Sequence, residues 1–212
     1  MKGLIIKDLF ALAKQGRIFL AVIAFYLVYS ITTKNITMFA GMLTLFMGFL
    51  PINTMVFDEQ SKWDKYALSM PLTRTDLVLS KYFLSGIVAV IAMLINLAVT
   101  AILIRLTDSA MGVQEASLYI LAAGGVLLFY VALIFPVLFK FGVEKGRMLM
   151  MVVFLAPILI FTLLPKLGPM PEFLKPGSSL LKILPYLAVP ALLICLLVSV
   201  AISIRIYKKK EF

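Results

Sequence analysis

Histidine is absent from this chain of 212 residues, and cysteine occurs once, at Cys195. The first absence removes Ser–His catalysis, histidine metal ligation and histidine proton relays. The second removes a disulfide framework and a thiolate metal set. Charge is scarce as well: Asp, Glu, Lys and Arg make up 14% of the residues against 63% hydrophobic, with mean hydropathy +1.08. No soluble domain needs so much apolar surface, so the composition assigns a polytopic, all-α integral membrane protein. The segment Phe141-Gly142-Val143-Glu144-Lys145-Gly146-Arg147 holds glycines and a lysine, but not in the order that cradles nucleotide phosphates. If the chain moves a substrate uphill on ATP, another subunit must hydrolyse the nucleotide.

Six apolar runs are long enough to span, or nearly span, a bilayer: residues 18–33, 36–57, 82–104, 118–139, 148–164 and 183–204. The first and fifth are short, and each is expected to borrow a turn from its flanks. An even number of spans places both termini on one side. The net charge of +10 is a topology signal rather than a nucleic-acid signal, because the basic residues sit at span ends. Lys2, Lys7, Lys14, Arg17, Lys62, Lys65, Arg74, Lys81, Lys140, Lys145, Arg147, Arg205, Lys208, Lys209 and Lys210 fall on one face. Only Lys34, Arg105, Lys166, Lys175 and Lys182 fall on the other. Fifteen against five makes the first face cytoplasmic. As drawn, no span contains a charged residue, which argues against a carrier driven by an ion gradient.

The cytoplasmic stretch 58–81, DEQSKWDKYALSMPLTRTDLVLSK, is more than a connector; it carries eight charges. Asp58 is placed to cap a new helix, with Lys62 four residues on as its ion-pair partner. Trp63, Tyr66, Ala67 and Met70 follow the i, i+3, i+4, i+7 rule and are expected on one helical face. Pro71 ends that helix, since the residue before proline avoids the α region. Thr73 and Asp76 have capping-box spacing and are expected to launch the third span. The reading is a short amphipathic helix at the membrane surface, then a corner, then a capped span.

Residues 1–17 form an interfacial amphipathic helix, with Ile5, Ile6, Leu9, Phe10, Leu12 and Ala13 on one side and Lys7, Asp8, Lys14 and Gln15 opposite. A cleaved signal peptide competes with this reading, but no A-x-A-like site follows the apolar run. On the outer face, residues 165–182 hold four prolines and two glycines, so they form either short half-helices or an irregular loop. Inside the spans the polar residues are uncharged; Thr44, Asn53, Asn96, Thr100, Tyr130, Tyr186, Ser199 and Ser203 suit interhelical hydrogen bonds. Gly41, Thr44, Gly48 and Ile52 make a small-residue seam on the second span, which Pro51 is expected to kink. Seven of the twelve methionines lie in the second and fifth spans. Met42, Met55, Met148 and Met151, with Asn53, either line a path for hydrophobic cargo or fill gaps between helices.

The run Phe57-Asp58-Glu59, Lys62-Trp63-Asp64, Tyr66-Ala67-Leu68-Ser69-Met70-Pro71, Arg74, Val78 and Lys81-Tyr82 resembles a signature of the ABC (ATP-binding cassette) type-2 exporter permeases, small six-span bacterial members. Met70 stands where leucine is commoner. The opening Met1–Leu12 with Lys7-Asp8-Leu9 is also similar to the family's start, whereas the later spans match in hydropathy only. The resemblance implies a single permease domain over residues 1–212, with 1–17 as an elbow helix and 58–81 as a cytoplasmic coupling loop seated on an ATPase. It assigns that role to Asp58, Glu59, Lys62, Trp63, Tyr66, Met70 and Arg74. It implies two cytosolic ATPase subunits that bring ATP and Mg, with no cofactor held by this chain itself. It implies a homodimer, or a heterodimer with a sister permease, in the bacterial plasma membrane with both termini cytoplasmic. Close relatives export amphipathic peptides or confer resistance to antimicrobial peptides, which makes a peptide, toxin, drug or lipid-like cargo the expectation.

Two other classes compete with the exporter subunit. A passive channel or gradient-driven carrier has only Asn53 and Asn96 in its favour. A non-transporting membrane scaffold would use the surface loop to bind some other cytosolic protein.

Overall fold

The computed structural model describes residues 2–33, 36–107, 112–167 and 179–210. Every regular element among them is helical: α1 (Lys2–Ala13), α2 (Gly16–Thr33), α3 (Ile36–Gln60), α4 (Trp63–Ser69), α5 (Arg74–Thr107), α6 (Val113–Leu167) and α7 (Ser179–Lys208). Five segments are long and apolar enough to cross a membrane: Gly16–Thr33, Thr37–Gln60, Arg74–Arg105, Gln114–Val143 and Ala188–Lys208. The expected fifth span, 148–164, is helical backbone within α6, and its side chains lie outside the described residues. So do the Lys34-Asn35 hairpin and residues 168–178 of the proline-rich outer loop.

The bundle is built on α3, α5 and α6, which pack on one another, with α7 against α5 and α6. The two glycines of the seam expected on α3 face α6: a Cβ at Gly41 would meet the Tyr119 hydroxyl at 3.5 Å, and one at Gly48 would meet Leu127 at 3.6 Å. Small residues let the two helices approach where dispersion and hydrogen bonds, rather than water exclusion, drive association. On α3's other flank the Asn96 amide of α5 donates to Thr44 Oγ1 at 3.0 Å and to the Ala40 carbonyl. Tyr82 shares hydrogen bonds with Ser199 and Ser203 of α7, and Ser199 donates in turn to the Ala132 carbonyl of α6. Of the uncharged polar residues expected to join helices, Thr44, Asn96, Ser199 and Ser203 do so, whereas the buried Thr100 hydroxyl finds no hydrogen-bond partner among the described residues. Helix α3 continues through Pro51 to Gln60.

Helix α2 is attached more loosely. Among the described residues it packs on α3, as through the edge-to-face pair Phe19–Phe46, and most of its surface is open to lipid.

Residues 140–147, expected as a loop between spans, are helical. The chain turns instead at Gly142, whose φ of 79° and ψ of 171° break α6 into two segments. That backbone region is essentially reserved for glycine, so one residue does the work assigned to a loop.

Candidate functional site

The segments expected on the cytoplasmic face converge at one end of the bundle. A cavity of about 50 Å³ there is lined by Lys7 and Asp8 of α1, Asp58 of α3, Trp63 of α4, Lys81 of α5, Gly142 and Val143 of α6, and Tyr207 and Lys210 from the end of the chain. Four of the charged side chains on its wall alternate in sign. Lys81 Nζ lies 2.8 Å from Asp8 Oδ2 and 2.6 Å from Asp58 Oδ2. Lys7 Nζ lies 3.1 Å from the other oxygen of Asp8 and pairs with the other oxygen of Asp58. Thr54 Oγ1 accepts a further hydrogen bond from Lys81 at 3.2 Å. The ring is neutral and closed, with side-chain exposures of 2% for Asp8, 9% for Lys81, 14% for Asp58 and 28% for Lys7.

Helical phase explains how α1 reaches this ring. Leu4, Asp8 and Leu12 recur every four residues and are its buried face, whereas Ile6 and Phe10 are 52% and 68% exposed. The helical wheel puts Leu12 on the apolar side and Asp8 on the opposite one; in the structure the two share the buried face. In a bilayer the apolar stripe is free to face lipid, and the charged stripe finds its partners in the protein.

Asp58 is also corrected. Helix α3 runs two residues past it to Gln60, so Asp58 sits inside a helix rather than capping one. The residue ahead of α4 is Lys62, in the left-handed region at φ 51° with no side-chain cap. The turn at Ser61 and Lys62 separates Asp58 from Lys62, and Asp58 bonds Lys7 and Lys81 instead. The spans are thus not free of charge: Asp58 and Lys81 are enclosed within α3 and α5 near their ends.

The expected stripe on α4 divides. Ala67 is fully buried, and Trp63 packs against the core with the Lys7 ammonium 4.5 Å from its ring centroid. Tyr66 and Met70 turn outward, at 63% and 47% exposure, and Lys62 is exposed beside them. Helix α4 ends at Ser69 with Met70 extended ahead of Pro71, as the proline required. The capping box forms: the Thr73 amide donates to Asp76 Oδ2 and the Asp76 amide to Thr73 Oγ1, each at 3.1 Å.

Two further residues fasten the same end. The Glu59 carboxylate accepts the Val143 amide and so caps the helix that starts after the Gly142 break. Arg74 donates to the carbonyls of Tyr207, Lys208 and Lys210, capping the end of α7 with a cation where the helix dipole favours one. An aromatic chain of edge-to-face contacts, Tyr82–Phe135–Phe139–Tyr207, backs the junction.

Of the residues expected along a path, Met42 and Asn53 are half-buried on α3. Met55 is buried and lines the cavity of the ionic ring. The side chains of Met148 and Met151 lie outside the described residues. Among the described residues, no group of three or more His, Cys, Asp or Glu is placed to share a metal ion. The junction is mechanical in character: α1, α3 and α5 share one set of charges, and α4 meets it through Trp63 beside Lys7.

Sequence reasoning named Lys7, Asp8, Asp58 and Lys81 one by one and missed that they meet. The signal was available as opposite charges abutting the ends of separate apolar runs.

Residues 3–208 match the family model described as ABC-2 family transporter protein. No curated protein matches the chain.

Proposed function

The chain belongs to the ABC-2 family of transporter proteins, and from that premise we propose that it is the membrane subunit of an ATP-driven exporter. It is a permease, and its family works with an ATPase. On this reading two cytosolic ATPase subunits bring ATP and Mg, and a second permease, identical or related, completes the path. The charged end of the bundle faces the cytoplasm, on the strength of the charge asymmetry in the sequence.

The observation that carries the reading is the build of α4. A seven-residue helix between two spans has one side buried on the bundle and the other, with Tyr66 and Met70, left outward. Such a helix has a partner outside the chain or none at all. The ATPase contact is assigned to Tyr66 and Met70 with Lys62, while Trp63, Asp58, Glu59 and Arg74 hold α4 and its neighbours in place. Movement of α4 then reaches α1, α3 and α5 together through the ionic ring.

The cargo is hydrophobic or amphipathic, an amphipathic peptide being the type case. Met42 and Asn53 of α3, with Met148 and Met151 beyond the Gly142 break, offer thioethers and an amide and no charge that would select an ion. The test is co-purification with a co-expressed cytosolic ABC ATPase, followed by ATP hydrolysis in proteoliposomes. A stable complex with cargo-stimulated hydrolysis is expected. A chain that purifies alone and leaves hydrolysis unchanged overturns the reading.

A further inference from the structure

Two adjoining grooves on the outside of the bundle differ in chemistry. The first is a cleft of about 810 Å³ between α1, the end of α3 and the start of α4, whose walls include Lys7, Lys14, Gln15, Phe57, Gln60 and Trp63. Its one carboxylate, Asp58, is already committed to Lys7 and Lys81. Lys7 is committed in turn to Asp8 and Asp58. Lys14 is exposed and has no ion pair among the described residues, so the cleft carries an excess cation beside two side-chain amides.

The second groove, of about 470 Å³, begins three residues further on at Arg17 and follows the lipid-facing side of α2 past Ile18, Val22 and Phe25. From Arg17 to Phe25 is eight residues, or about 12 Å at 1.5 Å each. It is almost wholly apolar apart from the arginine at its head. A cationic, amide-lined cleft that opens beside an apolar track is complementary to an amphiphile with an anionic head.

We propose that the cleft between α1, α3 and α4 binds the headgroup of an anionic phospholipid, whose acyl chains lie along α2. Lys14 and Arg17 meet the phosphate, Gln15 and Gln60 bond the headgroup, and Phe57 and Trp63 cover its glycerol end. The site requires only that the chain sit in a bilayer, and it is independent of what the protein transports or in which direction. The headgroup lies against the Lys7–Asp58 side of the ionic ring, so the occupant touches the group that ties α1 to α3.

Trp63 is the only tryptophan of the chain and stands on the wall between the cleft and the ring cavity, so the fluorescence comes from this junction. The chain is reconstituted in mixed phosphatidylglycerol and phosphatidylcholine vesicles, with one lipid at a time brominated near the headgroup end of its chains. At equal mole fraction, brominated phosphatidylglycerol is expected to quench Trp63 more strongly. Lys14→Gln is expected to reduce that preference about fivefold, the effect of one lysine beside an anionic surface, and Lys14→Arg to keep it. Lys14 is exposed, so these variants are expected to fold. Equal quenching by the two lipids overturns the proposal, as does a preference that survives Lys14→Gln with Arg17→Gln. Reversal by millimolar free glycerol phosphate would assign the cleft to a soluble phosphate compound. Quenching that falls as protein is concentrated in the vesicle would assign it to a second copy. Either result contradicts a lipid site.

Discussion

Lys81 Nζ stands 2.8 Å from Asp8 Oδ2, although 73 residues separate them, and this contact fastens the first helix of the chain to the head of α5. Two unit charges 4 Å apart attract by about 4 kcal/mol at an effective dielectric near 20, while burying each ion costs several kcal/mol. The ring therefore contributes little net stability and much positional definition. With two lysines and two aspartates alternating, any other arrangement of these helices leaves a buried charge unpaired.

Replacing Lys81 with methionine leaves Asp8 and Asp58 facing each other near Lys7 alone. The expected loss is about 3–5 kcal/mol, the cost of an uncompensated buried charge. Removing charge of both signs with Asp8→Asn and Lys81→Met together is expected to cost less than Lys81→Met alone. Thermal unfolding of the purified single and double variants reads the difference; a double variant as unstable as the sum of its parts contradicts the closed ring.

Gly142→Ala places a Cβ where φ is 79° and only 2.8 Å from Glu59 Oε1. Residues forced into such backbone regions cost roughly 1–3 kcal/mol, so a melting temperature lower by several degrees is expected. Glu59→Ala in the same background relieves the close contact but leaves the backbone strain and removes the cap on the Val143 amide, so it is not expected to restore the melting temperature. An unchanged melting temperature in Gly142→Ala would mean that α6 does not break there.

Arg74→Gln removes the cation that caps the end of α7. Amides of residues 205–210 are expected to exchange hydrogen faster, while those of α5 near Tyr82 stay protected. Unchanged exchange at the end of α7 would show that it holds its shape without Arg74.

Local rules read well here and tertiary ones did not. The capping box of Thr73 and Asp76, the stop at Pro71 and the bond between Thr44 and Asn96 each follow from a short spacing or from polarity in an apolar run. The ionic ring does not, because no spacing rule links residues 8, 58 and 81. The burial of Asp8 on α1 escapes for a related reason: amphipathicity fixes which residues share a face but not whether water or protein covers the charged one. On α4 the four stripe residues span about 100° of the helix, given 3.6 residues per turn. That arc is wide enough for the boundary of the packed surface to pass between Ala67 and Tyr66. Gly142 hid because a single left-handed glycine can replace a loop.

Topology is open to direct labelling. In a background lacking Cys195, cysteines at Lys65 and Lys145 are expected to react with an impermeant reagent only from the cytoplasm, and those at Glu115 and Lys175 only from outside. Labelling of positions 65 and 145 from opposite sides would contradict the convergence of α4 and the Gly142 region at one end.

The central claim is that α4 carries the ATPase on its outer face and the bundle on its inner face. The measurement that tests it most directly is the affinity of the purified permease for its ATPase in lipid, compared between the chain as it is and Tyr66→Ala with Met70→Ala. Both residues are exposed, so the variant is expected to fold and to melt unchanged. Truncating an interface anchor costs roughly 2 kcal/mol or more, on the order of 30-fold in affinity. The expected result is a loss of at least that size, with transport falling alongside. ATPase bound as tightly by the variant as by the parent chain would contradict the claim.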